Sequence, residues 1–113
     1  MAKINSYSFG FMDVDGTAYT TDLIILPSGV LPNWWRKEGH LLALEDLEVV
    51  LKERPDVLVV GTGYDGRLRV AQEVKDALKR AGIRLVVERT LSAWKTFNEL
   101  KEKKKAGAFH LTC

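Results

Sequence analysis

The sequence predicts a single α/β domain over residues 1–113, in which an antiparallel β-meander precedes right-handed β-α-β crossovers. Three observations lead there. Up to about residue 32, short runs rich in Tyr, Phe, Thr, Ile and Val are punctuated by Gly10, Asp15-Gly16 and Ser28-Gly29, with no sustained helical period. After that point, apolar residues alternate between helical spacing and continuous runs. No internal repeat, low-complexity tract or linker divides the 113 residues, a length that suits one core.

The elements follow in order. In "FMDVDGTAY", Asp15-Gly16 separates two strand-like runs, and both residues tolerate the positive φ of a tight hairpin turn. In "AYTTDLIILPSGVL" a strand is predicted from Asp22 to Leu26, ended by Pro27 and the Ser-Gly turn. Leu44, Leu47, Val50 and Leu51 recur at helical spacing, with Glu45, Glu48 and Lys52 on the other side and Pro55 as the stop. Val57 to Val60 is wholly apolar, as suits a strand covered on both faces. Val70, Ala71, Val74, Leu78 and Ala81 form the stripe of a second helix, which Gly82 caps. A strand is predicted from Ile83 to Val87. Thr90 is placed to cap a third helix whose Ala93, Phe97 and Leu100 face inward. Lys101, Lys103, Lys104 and Lys105 crowd the end of that helix, where its dipole favours cations. Ala108 to Leu111 reads as the last strand.

Composition removes several function classes. Seventeen basic and fifteen acidic residues give a net charge of +2, too small for a dedicated nucleic-acid surface. No apolar stretch reaches the ~20 residues of a membrane span. The opening "MAKINSYSFG" lacks the apolar core of a signal peptide, and Cys113 is the lone cysteine, so a cytoplasmic protein is expected. Plentiful Lys, Arg and Glu with scarce Asn and Gln lean towards a thermophile.

Several stretches invite a chemical reading. "VLVVGTGYDG" spaces Gly61, Gly63 and Gly66 as G-x-G-x-x-G after a strand and before a helix, and Glu88 stands where a ribose-binding acid would. A dinucleotide fold needs two mononucleotide halves, however, and Asp65 would repel a pyrophosphate. The plainer reading is a tight βα turn whose glycines supply positive φ or close packing, with a small-anion or polar-ligand site as the alternative. "DVDGT" matches the first motif of haloacid-dehalogenase-type phosphatases, with Asp13 as nucleophile and Asp15 as acid/base beside magnesium. That chemistry needs the tip of a buried parallel strand, whereas Gly10 interrupts the preceding run and the chain returns as a strand. "NWWRKEGH" groups Trp34, Trp35, Arg36, Glu38 and His40 in an irregular segment. Adjacent tryptophans cannot both enter one core face, so at least one lines a groove or interface. Arg36 and His40 could bind an anion there; the alternative is a structural ion pair for Arg36. His110 and Cys113 fall short of the ligand count of a closed zinc site, so no metal is expected.

Taken in order, "FGFMDVDGTAYTTDLIILPSG", "WWRKEGH", "LVVGTGYDG", "GIRLVVERT", "AWKTFNEL" and "FHLTC" resemble the Mth-type domain family, long described as a domain of unknown function. Its members include small archaeal and bacterial proteins and a mitochondrial assembly factor for respiratory complex I. The resemblance covers nearly the whole chain. It implies a three-layer fold around a mixed sheet and no established catalysis.

Binding is expected at the carboxyl ends of the parallel strands. There Gly61, Thr62, Gly63, Tyr64 and Asp65 would join Trp34, Trp35, Arg36 and His40 in one cleft. The expected role is non-enzymatic binding or assembly, with a partner protein or a small anion as ligand and with no cofactor and no catalytic residue. The rival is a small-molecule enzyme or a nucleotide- or anion-binding protein using the same cleft. A homo-oligomer with its tryptophans at the interface is compatible with either.

Overall fold

A central mixed sheet is forced by two strands that have no polar face to offer water. In the computed structural model, which describes residues 2–113, every residue of Val57–Thr62 and of Lys105–His110 is buried. In chain order the strands are β1 (Ile4–Ser8), β2 (Phe11–Val14), β3 (Thr17–Tyr19), β4 (Leu23–Leu26), β5 (Gly29–Pro32), β6 (Leu41–Leu42), β7 (Val57–Thr62), β8 (Arg69–Val70), β9 (Arg84–Glu88) and β10 (Lys105–His110). The helices are α1 (Glu48–Glu53), entered through a 3₁₀ turn at Leu44–Leu47, α2 (Gln72–Arg80) and α3 (Thr90–Glu99). The central sheet runs β5-β4-β10-β7-β9. β10 pairs in parallel with β7, and β7 with β9, while β4 lies antiparallel to both β10 and β5.

Successive strand residues point to opposite faces, so each strand feeds two cores. Ile24, Leu58, Val60, Ala106 and Ala108 meet Trp34, Leu47, Val50, Val74 and Leu78 on the α1/α2 side. Leu23, Ile25, Val59 and Phe109 meet Ala93 and Phe97 of α3, together with Ile4, Met12 and Val14, on the other. The result is three layers around a mixed sheet. The N-terminal meander is antiparallel as predicted, but β1-β2-β3 forms its own sheet on the α3 side instead of extending the central one. The Asp15-Gly16 turn has φ of 53° and 89°, the hairpin geometry that the dipeptide favours. Gly82 (φ 74°) ends α2, with Gly82 N–H donating to Lys79 and Ile83 N–H to Leu78.

Four local expectations are corrected. Val70 belongs to β8, paired with Leu42 of β6, so α2 begins at Gln72; an apolar residue that packs on the helix-side core looks periodic whichever element carries it. Arg89, not Thr90, is the N-cap of α3. The Thr90 hydroxyl instead accepts from Gly63 N–H and donates to the His110 carbonyl, joining three elements. β10 begins at Lys105 rather than Ala108. Lys105 is therefore a buried strand residue whose Nζ donates to the Phe97 and Leu100 carbonyls at the end of α3. Burial pushes its ammonium pKa down, and the helix end still receives a cation, delivered from the neighbouring strand.

Phe97 is 1% exposed and packs edge to face on Phe109, 6.0 Å between centroids. Phe97→Ala is expected to lower the unfolding free energy by about 3–5 kcal/mol in urea denaturation. A loss under about 1 kcal/mol would mean that α3 does not close this core.

Candidate functional site

Asp22 immediately precedes β4, and the antiparallel register that sets Leu23 against Phe109 brings it beside His110. Its carboxylate accepts three hydrogen bonds: Leu111 N–H at 2.8 Å, His110 Nδ1 at 2.7 Å and Arg36 Nη2 at 2.9 Å. Its carbonyl accepts Trp34 N–H at 2.9 Å. Burial alone would raise the Asp22 pKa. The His110 and Leu111 hydrogen bonds and the charges of His110 and Arg36 outweigh it and hold the group below the ordinary aspartate range.

Arg36 is held as firmly. Its Nε and Nη2 donate to the Gly39 carbonyl at 3.1 and 2.9 Å, and its guanidinium lies over the Trp34 ring at 4.8 Å. Asp46 fixes the rest of the segment. Its carboxylate accepts from Ala43 N–H and Lys37 N–H, and its carbonyl accepts from the Trp34 indole at 3.0 Å. The arginine and histidine side chains are only 5% and 7% exposed. One polar atom of each, Arg36 Nη1 and His110 Nε2, is buried with no hydrogen-bonding partner among the described residues. A cavity of about 300 Å³ lies beside these side chains, walled by Asp22, Arg36 and His110, by both tryptophans and by Thr112. Trp34 is buried in the core, whereas Trp35 is 80% exposed at the rim. His40 lies edge-on to His110 at 5.8 Å, and the Cys113 sulfur is 4.0 Å from His40 Nε2. A second cavity of about 260 Å³ borders Lys105, whose ammonium is already bound by helix carbonyls.

The glycine stretch plays a different part from the one predicted. Gly61 and Thr62 are the last residues of β7, not a turn. A Cβ on Gly61 would lie 2.8 Å from both Phe109 and the Thr90 hydroxyl. Gly63, at φ 104°, could carry no side chain: a Cβ would meet the Thr112 and Cys113 oxygens and the His110 ring at 2.7 Å. Tyr64 N–H donates to Thr112 O and Arg67 N–H to Cys113 O, so the chain itself fills the cradle. β8 intervenes before α2, so no α2 N-terminus faces these glycines, and the phosphate-binding arrangement is not formed. Glu88 accepts the Thr96 hydroxyl at 2.6 Å. Asp13 accepts Gly16 N–H inside a hairpin of the small sheet, away from any parallel strand tip, which removes the phosphatase geometry. Trp34, Trp35 and Arg36 thus wall the cavity and His40 lies edge-on to His110, while Gly61 packs on Phe109 and Gly63 on the His110 ring. Tyr64 stacks edge-on with Phe9 at 5.8 Å, and exposed Asp65 follows it; neither lines the cavity. Sequence reasoning missed Asp22 as a site residue and weighed His110 only with Cys113. The sole hint was an aspartate at a strand start and a histidine at a strand end, 88 positions apart.

Over residues 4–111 the chain matches the family described as "Protein of unknown function (DUF498/DUF598)". It is 32% identical over 108 residues to NADH dehydrogenase (ubiquinone) 1 alpha subcomplex assembly factor 3 of Danio rerio, covering 93% of this chain and 60% of that protein. The Homo sapiens protein of the same name is 36% identical over 101 residues, covering 86% of this chain and 53% of that protein. The chain therefore spans little more than half the length of these curated relatives. A conserved hypothetical protein of Pyrococcus horikoshii has the same fold, with TM-score 0.81 and 32% identity over 98% of this chain and 99% of its own. A Bartonella henselae protein described as an outer membrane protein superimposes with TM-score 0.83 and 26% identity, covering 99% and 96%. Among the described residues no helix is long and apolar enough to cross a membrane, which says nothing of β-barrels.

Two outcomes test this geometry. Gly63→Ala is expected to cost more than about 1 kcal/mol of stability. Gly39→Ala, with open space around its Cβ, should be close to neutral by thermal melting. The lowered pKa of Asp22 means that its contribution to stability is present above about pH 4 and is lost as pH falls through the lower folded value. Asp22→Asn should therefore cost about 1–3 kcal/mol at pH 7 and flatten the fall in stability on acidification, measured by urea denaturation across pH.

Proposed function

This chain belongs to the DUF498/DUF598 family of proteins of unknown function, and on that premise we propose that it acts by binding a partner protein, in an assembly-type role without catalysis of its own. The observation that carries the reading is Trp35, 80% exposed on a segment whose neighbours are tied down. Trp34 is bonded through its indole, and Arg36 is clamped by Asp22 and Gly39. A large aromatic presented in advance on a rigid backbone loses little entropy on binding, and such residues dominate interface energetics. The assembly-factor name borne by the Danio rerio and Homo sapiens relatives supports a partner protein. Trp35 and the cavity form the centre of the proposed face, with His40, Tyr64 and Asp65 as outer contacts. Gly61, Thr62 and Gly63 then serve as its support.

Binding is favoured over the enzymatic rival by the arrangement of the polar groups. Asp22 orients His110 as it would a general base, but among the described residues no hydroxyl or thiol is bonded to His110 Nε2. The nearby Cys113 sulfur faces His40 instead.

Trp35→Ala tests the proposal. Because the ring is exposed, the variant should melt within a few degrees of the parent, while capture of its partner from the source organism's lysate should fall by about tenfold or more. Undiminished capture of the same partner by the folded variant would overturn the proposal.

A further inference from the structure

The central sheet has two edges, and they are finished differently. At one end β5 closes on Pro32, which has no N–H to offer another strand. At the other end β9 presents an open edge, Arg84-Leu85-Val86-Val87-Glu88. Arg84 N–H donates to the Asp56 carbonyl, on the β7 side. Backbone groups alternate along a strand, so those of Val86 and Glu88 also turn towards β7, whereas the N–H and C=O of Leu85 and Val87 turn outward. Side chains alternate too. Arg84, Val86 and Glu88 lie on the α3 side, where Val86 packs on the core and Glu88 holds the Thr96 hydroxyl. Leu85 and Val87 lie on the α1/α2 side, and Val87 is 42% exposed.

Charge and the phase of the free backbone groups select what fits this edge. Charged side chains on an edge strand ordinarily discourage pairing. Here the two charges have opposite sign and stand symmetrically about Val86. An antiparallel copy of the same strand, centred on Val86, sets Arg84 against the partner's Glu88 at both ends. In that register Leu85 faces the partner's Val87, so the outward backbone groups form the hydrogen-bonded pairs, and Val86 meets its own copy at a close, non-hydrogen-bonded position. A slip of one residue would set outward groups against inward ones, and a slip of two would leave a charge opposite Val86. Both charges are free to take a partner. Arg84 Nη1 pairs with Glu102 at 2.9 Å, yet the arginine side chain is still 61% exposed. Glu88 spends Oε1 on Thr96, and Oε2 has no hydrogen bond among the described residues.

We propose that β9 pairs antiparallel with β9 of a second copy about a two-fold axis at Val86, joining two five-stranded sheets into one. β7 separates β9 from β10, the strand that carries His110, so this contact leaves the Trp35 face open. The dimer is independent of the proposed function and presents that face twice.

Sedimentation equilibrium on the full chain, from about 1 to 500 μM, tests the pairing. The mass should rise from that of one chain towards that of two, with half-association between about 1 and 100 μM, as suits a small interface. Arg84→Glu and Glu88→Arg each set like charges opposite one another at both ends, so each should weaken self-association about tenfold or more. An equimolar mixture of these two variants should associate at least as tightly as the parent, because an acidic edge then meets a basic one. Val87→Lys, at an exposed position, should also weaken the dimer about tenfold and serves if a charge reversal does not fold. A chain that stays monomeric at about 500 μM, a dimer indifferent to the folded edge variants, or a mixture no tighter than its components overturns the proposal. A dimer lost only on Trp35→Ala lies on the tryptophan face and overturns it as well.

Discussion

The Asp22 carboxylate is the tie on which the geometry of the site depends. Its two oxygens take an amide proton from Leu111, a ring proton from His110 and a guanidinium proton from Arg36. Those donors come from the end of β10 and from the irregular segment after β5, two parts of the chain that share no strand pairing. A largely buried carboxylate is stable only when its lone pairs are used, and a buried guanidinium only when it is paired. Each of the two charges therefore requires the other, and the cavity lies where they meet. The Asp22 carbonyl extends the same control to Trp34, whose indole then seals the α1/α2 core. Exposure of Trp35 follows from burial of Trp34, because consecutive side chains of an extended segment cannot share a face.

A second constraint acts from behind. The cradle at Gly63 has the glycine chemistry of an anion-binding loop: positive φ, no Cβ and amides free of the strand ladder. Here those amides bond to oxygens of Thr112 and Cys113. Glycine at this position is a packing requirement, since any side chain would strike that segment. The segment in turn carries Thr112 into the cavity wall. The Tyr7 hydroxyl adds a further anchor on the Leu111 carbonyl, and burial pushes its pKa up to about 12. The floor of the cavity is thus built by the chain on itself.

Both features are the basis on which binding was proposed. The polar groups are locked in place by structural partners, and the exposed aromatic stands between two bonded neighbours, Trp34 and Arg36. Such a surface is organised in advance, so any association there would require little further ordering.

Local periodicity and turn chemistry were enough to read much of this fold. The apolar run at 57–60 announced a strand buried on both faces, because no polar residue interrupts it. Asp15-Gly16 announced a hairpin and Gly82 a helix end, because each needs a backbone conformation that few residues adopt. The pair of tryptophans announced one buried and one exposed ring for a steric reason contained in the dipeptide. What only the tertiary structure decided is the pairing of distant groups. Lys105 looked like one of a run of helix-end charges until β10 took it into the sheet, and Thr90 looked like a cap until it met Gly63 and His110. Asp22 and His110 are each unremarkable in sequence. Their partnership exists because β4 lies antiparallel to β10 in one register, chosen by the two cores that those strands feed. Neighbouring residues encode which element forms, whereas the charge cluster depends on how elements far apart in the chain are packed together.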